Sequence, residues 1–414
     1  MRLPASRLLT TLQISRGAVA MLAATLFTTL AAGPRALAQT ETVLYSFCSL
    51  QNCVDGQFPG GNLIMDAAGN LYGTTQDGGW NGEGAAFRVS PDGKERVLHS
   101  FGASTSDGYF PSPGLVLDKK GNFYGTTKLG GTNGATFGGY GTVFKLDSAG
   151  TETILYNFGA STADGVYPQA GLVADTKGNL YGTTIVGGEN GYGVVFKLTP
   201  TGAETILYNF PNYGDDRFQP DQTLTLDKKG NLYGATNYGG LYDKGLAFEV
   251  SAAGVYTTLY NFGAFDTDAA LPACTLTLDS EGNLYGTTAL GGSDGGGTVF
   301  KLSHSPSGSW TETILYNFSA TIASDPAGGV SLDSEGNLYG TTDGGGSDAL
   351  GTVFELSATG TMTTLLNFDR TNGANPVGGL LLDSAGNVYG TTIGGGAVNG
   401  GAVYEITNLN GEKR

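Results

Sequence analysis

Apolar and polar residues alternate in short bursts along this chain, and the same bursts return about every fifty residues. Each unit opens with an apolar run ending in aspartate, at Asp66, Asp118, Asp175, Asp227, Asp279, Asp333 and Asp383. Three positions on begins the string Gly-Asn-[Leu/Phe/Val]-Tyr-Gly-[Thr/Ala]-Thr, with its tyrosine at Tyr72, Tyr124, Tyr181, Tyr233, Tyr285, Tyr339 and Tyr389. The spacings are 52, 57, 52, 52, 54 and 50 residues. Asp at the first and Gly at the fourth position mark a type I turn, and glycine accepts the left-handed conformation of a three-residue hairpin loop. The pattern therefore predicts strand, hairpin, strand, with the seven aspartates as turn caps.

A glycine-rich loop follows, then a strand such as Gly-Thr-Val-Phe-Lys-Leu at 141–146. Its aromatic recurs as Phe87, Phe144, Phe196, Phe248, Phe300, Phe354 and Tyr404. A second tight turn, for example Asp147 to Gly150, leads to a fourth strand of the type Thr-Ile-Leu-Tyr-Asn-Phe, with phenylalanines at Phe101, Phe158, Phe210, Phe262, Phe318 and Phe368. Four short strands per unit in seven units predict an all-β fold, a single seven-bladed β-propeller with four antiparallel strands per blade. A straight solenoid is the alternative, but its rungs are shorter. The last unit stops after its third strand, and the missing fourth-strand pattern stands at the other end of the chain, residues 41–47. That strand is expected to complete the last blade and close the ring, which removes an exposed edge.

With these residues in view, the chain resembles the bacterial GloVer tandem-repeat family, whose members are called choice-of-anchor proteins. Asp279 to Thr288, Asp-Ser-Glu-Gly-Asn-Leu-Tyr-Gly-Thr-Thr, is a typical carrier, and the resemblance runs over residues 41–411. The motif is specific when repeated seven times and weak as one copy; it is also similar to other bacterial propeller repeats. The resemblance implies secretion and, often, a C-terminal surface anchor. This sequence departs from that pattern, running to Arg414 without an apolar tail or sorting motif. The resemblance brings no activity and no catalytic residues.

Composition agrees with the pattern. Of 414 residues 70 are glycine, and five that recur in each unit account for half of them, so the excess is largely turn punctuation. Charged residues make up only 14%, against about 25% usually, while 40% are hydrophobic. Disorder and collagen are excluded. Residues 1–38 read as a signal peptide: Arg2, Arg7 and Arg16, an apolar stretch over 17–32, and an Ala36-Leu37-Ala38 cleavage site. The mature domain is then 39–414, secreted to the extracellular space or periplasm, with no membrane span. Cleavage removes four arginines and no acid, taking the formal net charge from −16 to −20. So acidic a surface repels phosphate backbones and argues against nucleic acid. Secretion permits disulfides. Cys48 and Cys53 are expected to pair, leaving Cys274 as a buried small hydrophobe.

The search for chemistry is mostly negative. The string Gly291-Gly292-Ser293-Asp294-Gly295 matches a hydrolase elbow only formally, lying between two strands. With His99 and His304 the only histidines, neither a metal nor a cofactor is expected. The connection after each fourth strand is more suggestive. It carries an acid at Asp55, Asp107, Asp164, Asp216, Asp268 and Asp325, with Asn375 in the last copy, and Phe-Pro or Tyr-Pro follows the first three. In a propeller these connections share a face with the loops carrying Trp80, Tyr140, Tyr192, Tyr238 and Tyr242, and with Arg217. Aromatic platforms beside polar groups suit sugar or peptide binding. The competing reading is that each aspartate caps its turn and each aromatic-proline pair packs between blades. The expected function is a monomeric, non-catalytic binding or scaffolding module for carbohydrate, peptide or cell-envelope partners. The alternative is a glycan lyase or hydrolase using carboxylates at the channel mouth.

Overall fold

The computed structural model describes residues 40–134, 138–211, 218–305, 308–319 and 323–407. Expectations that concern residues 1–38, Asp216 and Arg217 lie outside the described residues. Seven antiparallel four-stranded sheets follow one another as the blades of a propeller. In the third blade the strands run outward as Val173–Ala174, Leu180–Thr184, Val194–Leu198 and Glu204–Asn209. Asn62, Pro113, Gly171, Thr223, Thr275, Gly328 and Gly379, one from each blade, line a common cavity of about 190 Å³, the central channel. The seventh blade is made from both ends of the chain. Strand Thr40–Ser46 pairs with Ala402–Thr407, with Thr40 opposite Thr407 and Ser46 opposite Ala402. The ring therefore closes as expected. Among the described residues no helix is long and apolar enough to cross a membrane.

Each part of the repeated string has a structural task. Asp66 Oδ1 accepts from the backbone N–H groups of Ala68 and Asn70, while its Oδ2 accepts from Asn70 Nδ2 and the Tyr72 hydroxyl. The same hydroxyl bond holds the tyrosine in all seven units, at 2.8–3.4 Å. Gly69 takes φ +79°, where a side chain would be strained. The next glycine serves packing: a Cβ on Gly125 would stand 2.5 Å from Phe144 Cζ, and its counterparts meet the third-strand aromatic in the same way. The ring thus seats on bare backbone. The first threonine of the pair reaches the next blade, as Thr126 Oγ1 does in donating to Ala170 O (2.9 Å) and Thr391 Oγ1 in donating to Gly61 O (3.2 Å).

The core consists of seven clusters, one at each seam between blades. At every seam the fourth-strand phenylalanine of one blade meets the third-strand aromatic of the next, at centroid distances of 4.8–5.5 Å and steep interplanar angles. Phe47 on Phe87 is the pair that joins the seventh blade to the first. Such a contact adds about 1 kcal/mol to the burial of two rings.

Outside the aromatic pair lies a polar layer. Tyr156 Oη sits 2.9 Å from Asp164 Oδ2 and 2.7 Å from Glu204 Oε2 of the following blade. Tyr260 bridges Asp268 and Glu312 in the same way. One hydroxyl proton cannot serve two carboxylates, so one carboxyl must itself carry a proton. Burial, with the neighbouring aspartate adding to it, pushes Glu95 and Glu204 up to about 7 and Glu312 up to about 9.

Two outcomes follow. Phe47→Ala should cost about 3 kcal/mol in denaturant unfolding, as Phe158→Ala should, because both empty the same seam position; a cost below about 1 kcal/mol for Phe47→Ala would mean that the closing seam differs from the others. The raised glutamates stabilise the fold in full below their unfolded value near 4.5, and that contribution is lost as pH rises through 7 to 9. Melting temperature should therefore fall between pH 5.5 and 9, and a Glu204→Gln/Glu312→Gln variant should flatten the slope; equal slopes would refute it.

Candidate binding site at the channel mouth

Each blade presents two side chains at one end of the channel. One precedes the proline that enters the innermost strand: Phe58, Phe110, Tyr167, Gln219, Leu271, Asp325 and Asn375. All seven have φ between +45° and +59°, a region that non-glycine residues rarely adopt. The conformation turns the backbone N–H toward the preceding blade, where Phe110 donates to Glu83 O, Tyr167 to Tyr140 O and Asn375 to Leu350 O. The proline then packs over a glycine of that blade: a Cβ on Gly84 would lie 2.5 Å from Pro111 Cδ. Strain at seven equivalent positions is thus held by the seams.

The second residue follows the Thr-Thr pair: Gln76, Lys128, Ile185, Asn237, Ala289, Asp343 and Ile393. Backbone bonds tie it to the first, as when the N–H of Ile393 donates to Asn375 O. Around these fourteen positions the frame repeats closely; at them the side chains differ from blade to blade. The mouth is where the sevenfold symmetry is abandoned.

The differences are sorted in space. A cavity of about 380 Å³ is lined by Phe58, Gln76, Phe110, Lys128 and Ile393, together with channel residues such as Gln169. A neighbouring cavity of about 470 Å³ shares Phe58, Gln76 and Ile393 and adds Arg370, Asn375 and Asn399. The two form one groove with aromatic, amide and cationic walls. Lys128, Gln76, Arg370 and Asn399 are exposed, and the two phenylalanines are half-buried.

The opposite side is acidic. Register places Asp325 across from Asp343, since Ser324 pairs with Gly344 and Pro326 with Thr342. Burial raises Asp343 above the usual carboxylate range and the charge of Asp325 adds to it, while the Asn375 side chain opposes the shift. Asp343 Oδ1 is buried without a hydrogen-bond partner. In the fourth blade Asp221 accepts from Asn237 Nδ2 at 2.9 and 3.1 Å and is also raised by burial.

The residues singled out from sequence are distributed differently from that expectation. Asp55, Asp107, Asp164 and Asp268 are buried turn caps rather than an open carboxylate ring. Asp107, for example, accepts from the N–H groups of Ala103 and Gly108, and Asp268 from those of Ala264 and Ala269. Asp325 and Asn375 are out of register with them. The four capping aspartates stand four residues before their proline, whereas Asp325 and Asn375 stand directly before it, at the mouth. In the last blade the capping place falls to Asn372, whose Oδ1 accepts from the N–H of Asp369. None of Trp80, Tyr140, Tyr192, Tyr238 and Tyr242 lines either mouth cavity. Trp80 is 77% exposed but anchored by its backbone to Ser100, at the end of an outermost strand and so at the rim. Tyr140 packs at a seam against Tyr167. Cys48 and Cys53 form a disulfide beside the first connection, and Cys274 is fully buried, its thiol pushed up to about 12 by burial. The mouth positions had a usable signal: they are the variable sites inside an otherwise repeating frame.

Among solved structures, the extracellular domain of a candidate one-component system from B. thetaiotaomicron is similar at a TM-score of 0.51 and 11% identity, over 84% of this chain and 38% of that one. A candidate 6-phosphogluconolactonase from Bacteroides uniformis aligns at 0.49 and 17%, over 78% and 88%. A luciferin-regenerating enzyme aligns at 0.45 and 15%, over 72% and 92%. The first shares the fold, and nothing is built on the other two. No curated protein matches the sequence. The model described as the Gloeobacter/Verrucomicrobia repeat matches residues 35–228, 172–313 and 219–413, nearly the whole chain, and the protein belongs to that family.

Proposed function

We propose that this propeller is a secreted, non-catalytic binding module that takes an acidic oligosaccharide in the groove at its channel mouth. The observation that carries the reading is the loss of repeat symmetry at the mouth, where Phe58 and Phe110 stand beside Gln76, Lys128 and Arg370. Aromatic faces stack on sugar rings, amides bond hydroxyl groups, and two cations in a chain of net charge −16 favour a carboxylate-bearing ligand. Residues 1–38 act as the export leader, and the mature chain works as a monomer outside the cytoplasm. The leader pattern and the Cys48–Cys53 bond support that setting.

One observation favours a catalytic reading as the alternative. Asp325 and Asp343 are cross-strand neighbours, and burial holds a proton on Asp343 to higher pH than usual. Two neighbouring carboxyl groups, one of them raised by burial, can serve as acid and base in glycan cleavage.

A glycan array with uronate-containing oligosaccharides, followed by calorimetry and product analysis, separates the two. Binding without turnover is expected, weakened roughly tenfold by Phe110→Ala and by Lys128→Ala, about 1.4 kcal/mol each. Turnover abolished by Asp343→Asn would establish the alternative. Failure of every glycan to bind, with either outcome at Asp343 silent, would refute both.

A further inference from the structure

The outer polar layer of the seams is occupied by a phenol at five of the seven fourth strands; the sixth blade has Leu366 there. Tyr45, Tyr156, Tyr208, Tyr260 and Tyr316 hold the equivalent fourth-strand position, but the first blade has His99. Where the tyrosine meets an aspartate and a glutamate, its hydroxyl fills the space between them, as Tyr156 does at 2.9 and 2.7 Å. The imidazole is shorter than the phenol. His99 Nε2 stops 3.8 Å from Asp107 Oδ1 and 3.8 Å from Glu152 Oε2, too far for a hydrogen bond to either. His99 Nε2 is buried without a hydrogen-bond partner, and Glu152 Oε1 is unpartnered, as is Oε1 of the glutamates at the tyrosine seams, Glu204 and Glu312 among them. One nitrogen and two carboxylates therefore face one another where the tyrosine seams have a hydroxyl.

We propose that His99, Asp107 and Glu152 form a divalent metal site of the zinc type at the seam between the first two blades. One donor atom from each residue lies within 4.8 Å of the others. A tetrahedral Zn²⁺ with bonds of about 2.0–2.2 Å draws three such atoms to within about 3.5 Å of one another, a small inward movement from the spacing seen here. The ligands come from two blades, so the ion acts as a clasp across the seam. The charge balances as well, since two carboxylates and a neutral imidazole offset a bound dication. The surroundings hold the donors in place. Asp107 is fixed by the N–H groups of Ala103 and Gly108, and the His99 ring stands edge-on to Phe101 at 4.8 Å. The histidine count alone argues against such a site, because it cannot show that the one inward-facing histidine meets two carboxylates from neighbouring strands.

The test uses the mature protein, freed of metal by chelation and loaded with Zn²⁺ or Co²⁺. One equivalent of Zn²⁺ per chain should survive gel filtration, Co²⁺ should give the visible bands of a tetrahedral complex, and Zn²⁺ should raise the melting temperature. His99→Tyr restores the residue of the neighbouring seams, so it should fold, melt at least as high as the metal-free parent, and bind no metal. Glu152→Gln should weaken binding at least tenfold, while His304→Ala, a change at an exposed position, should leave it unaltered. Absence of stoichiometric Zn²⁺ in the parent, or equal binding by His99→Tyr, would overturn the site.

Discussion

The seating of an aromatic ring on a bare glycine is the constraint from which the rest of this structure follows. The glycine after each motif tyrosine leaves room for the third-strand aromatic, which then lies at the blade surface where the preceding blade's phenylalanine can reach it. Phe144 illustrates the sequence of contacts: it rests on Gly125 within its own blade and receives the edge of Phe101 from the preceding one. Any side chain at Gly125 would lift the ring and push two blades apart. Because each blade supplies one such ring and one phenylalanine, the core is cut into seven equal seams, and only a closed circle leaves none of them open.

So uniform a frame restricts where variation can be tolerated. Residues that cap turns, seat rings or bond across seams are repeated because each fails locally if changed. Backbone bonds position the residue before each proline and the residue after each Thr-Thr pair, and side chains such as Phe58, Gln76, Phe110 and Lys128 line the mouth. They are free to differ, and they do. The aromatic and cationic groove over the first, second and seventh blades and the carboxylate pair of the sixth are the result.

The number of blades, their strands and the closure of the ring were legible because their code is local. Asp66, Gly69, Asn70 and Tyr72 specify their hairpin within seven residues. What crosses from one repeat to the next was not. Phe101 and Phe144 both recur visibly, but nothing in either string says that they meet each other. The glutamate at the start of the fourth strand repeats as plainly as the aspartate after it, yet their meeting at a shared tyrosine depends on blade twist. Asp325 was only partly legible for a related reason. The sequence grouped it with the other connection aspartates as a candidate binding residue, but only the register of its strand separates it from the four caps and sets it opposite Asp343. Trp80 was drawn toward the site by its chemistry alone, without the radial distance that only the fold supplies.

The pairing of strand Thr40–Ser46 with Ala402–Thr407 also sets the order of events in the life of the chain. Partners such as Thr407 Oγ1 and Thr40 O are 367 residues apart. Among the described strands, Thr40–Ser46 is made first and must wait for the last, and until then Phe47 has only the first blade to pack against. Six blades can stack during synthesis, but the circle stays an open arc with a free edge at each end, a form prone to join other copies. A propeller closed in this manner gains little from folding as it is made.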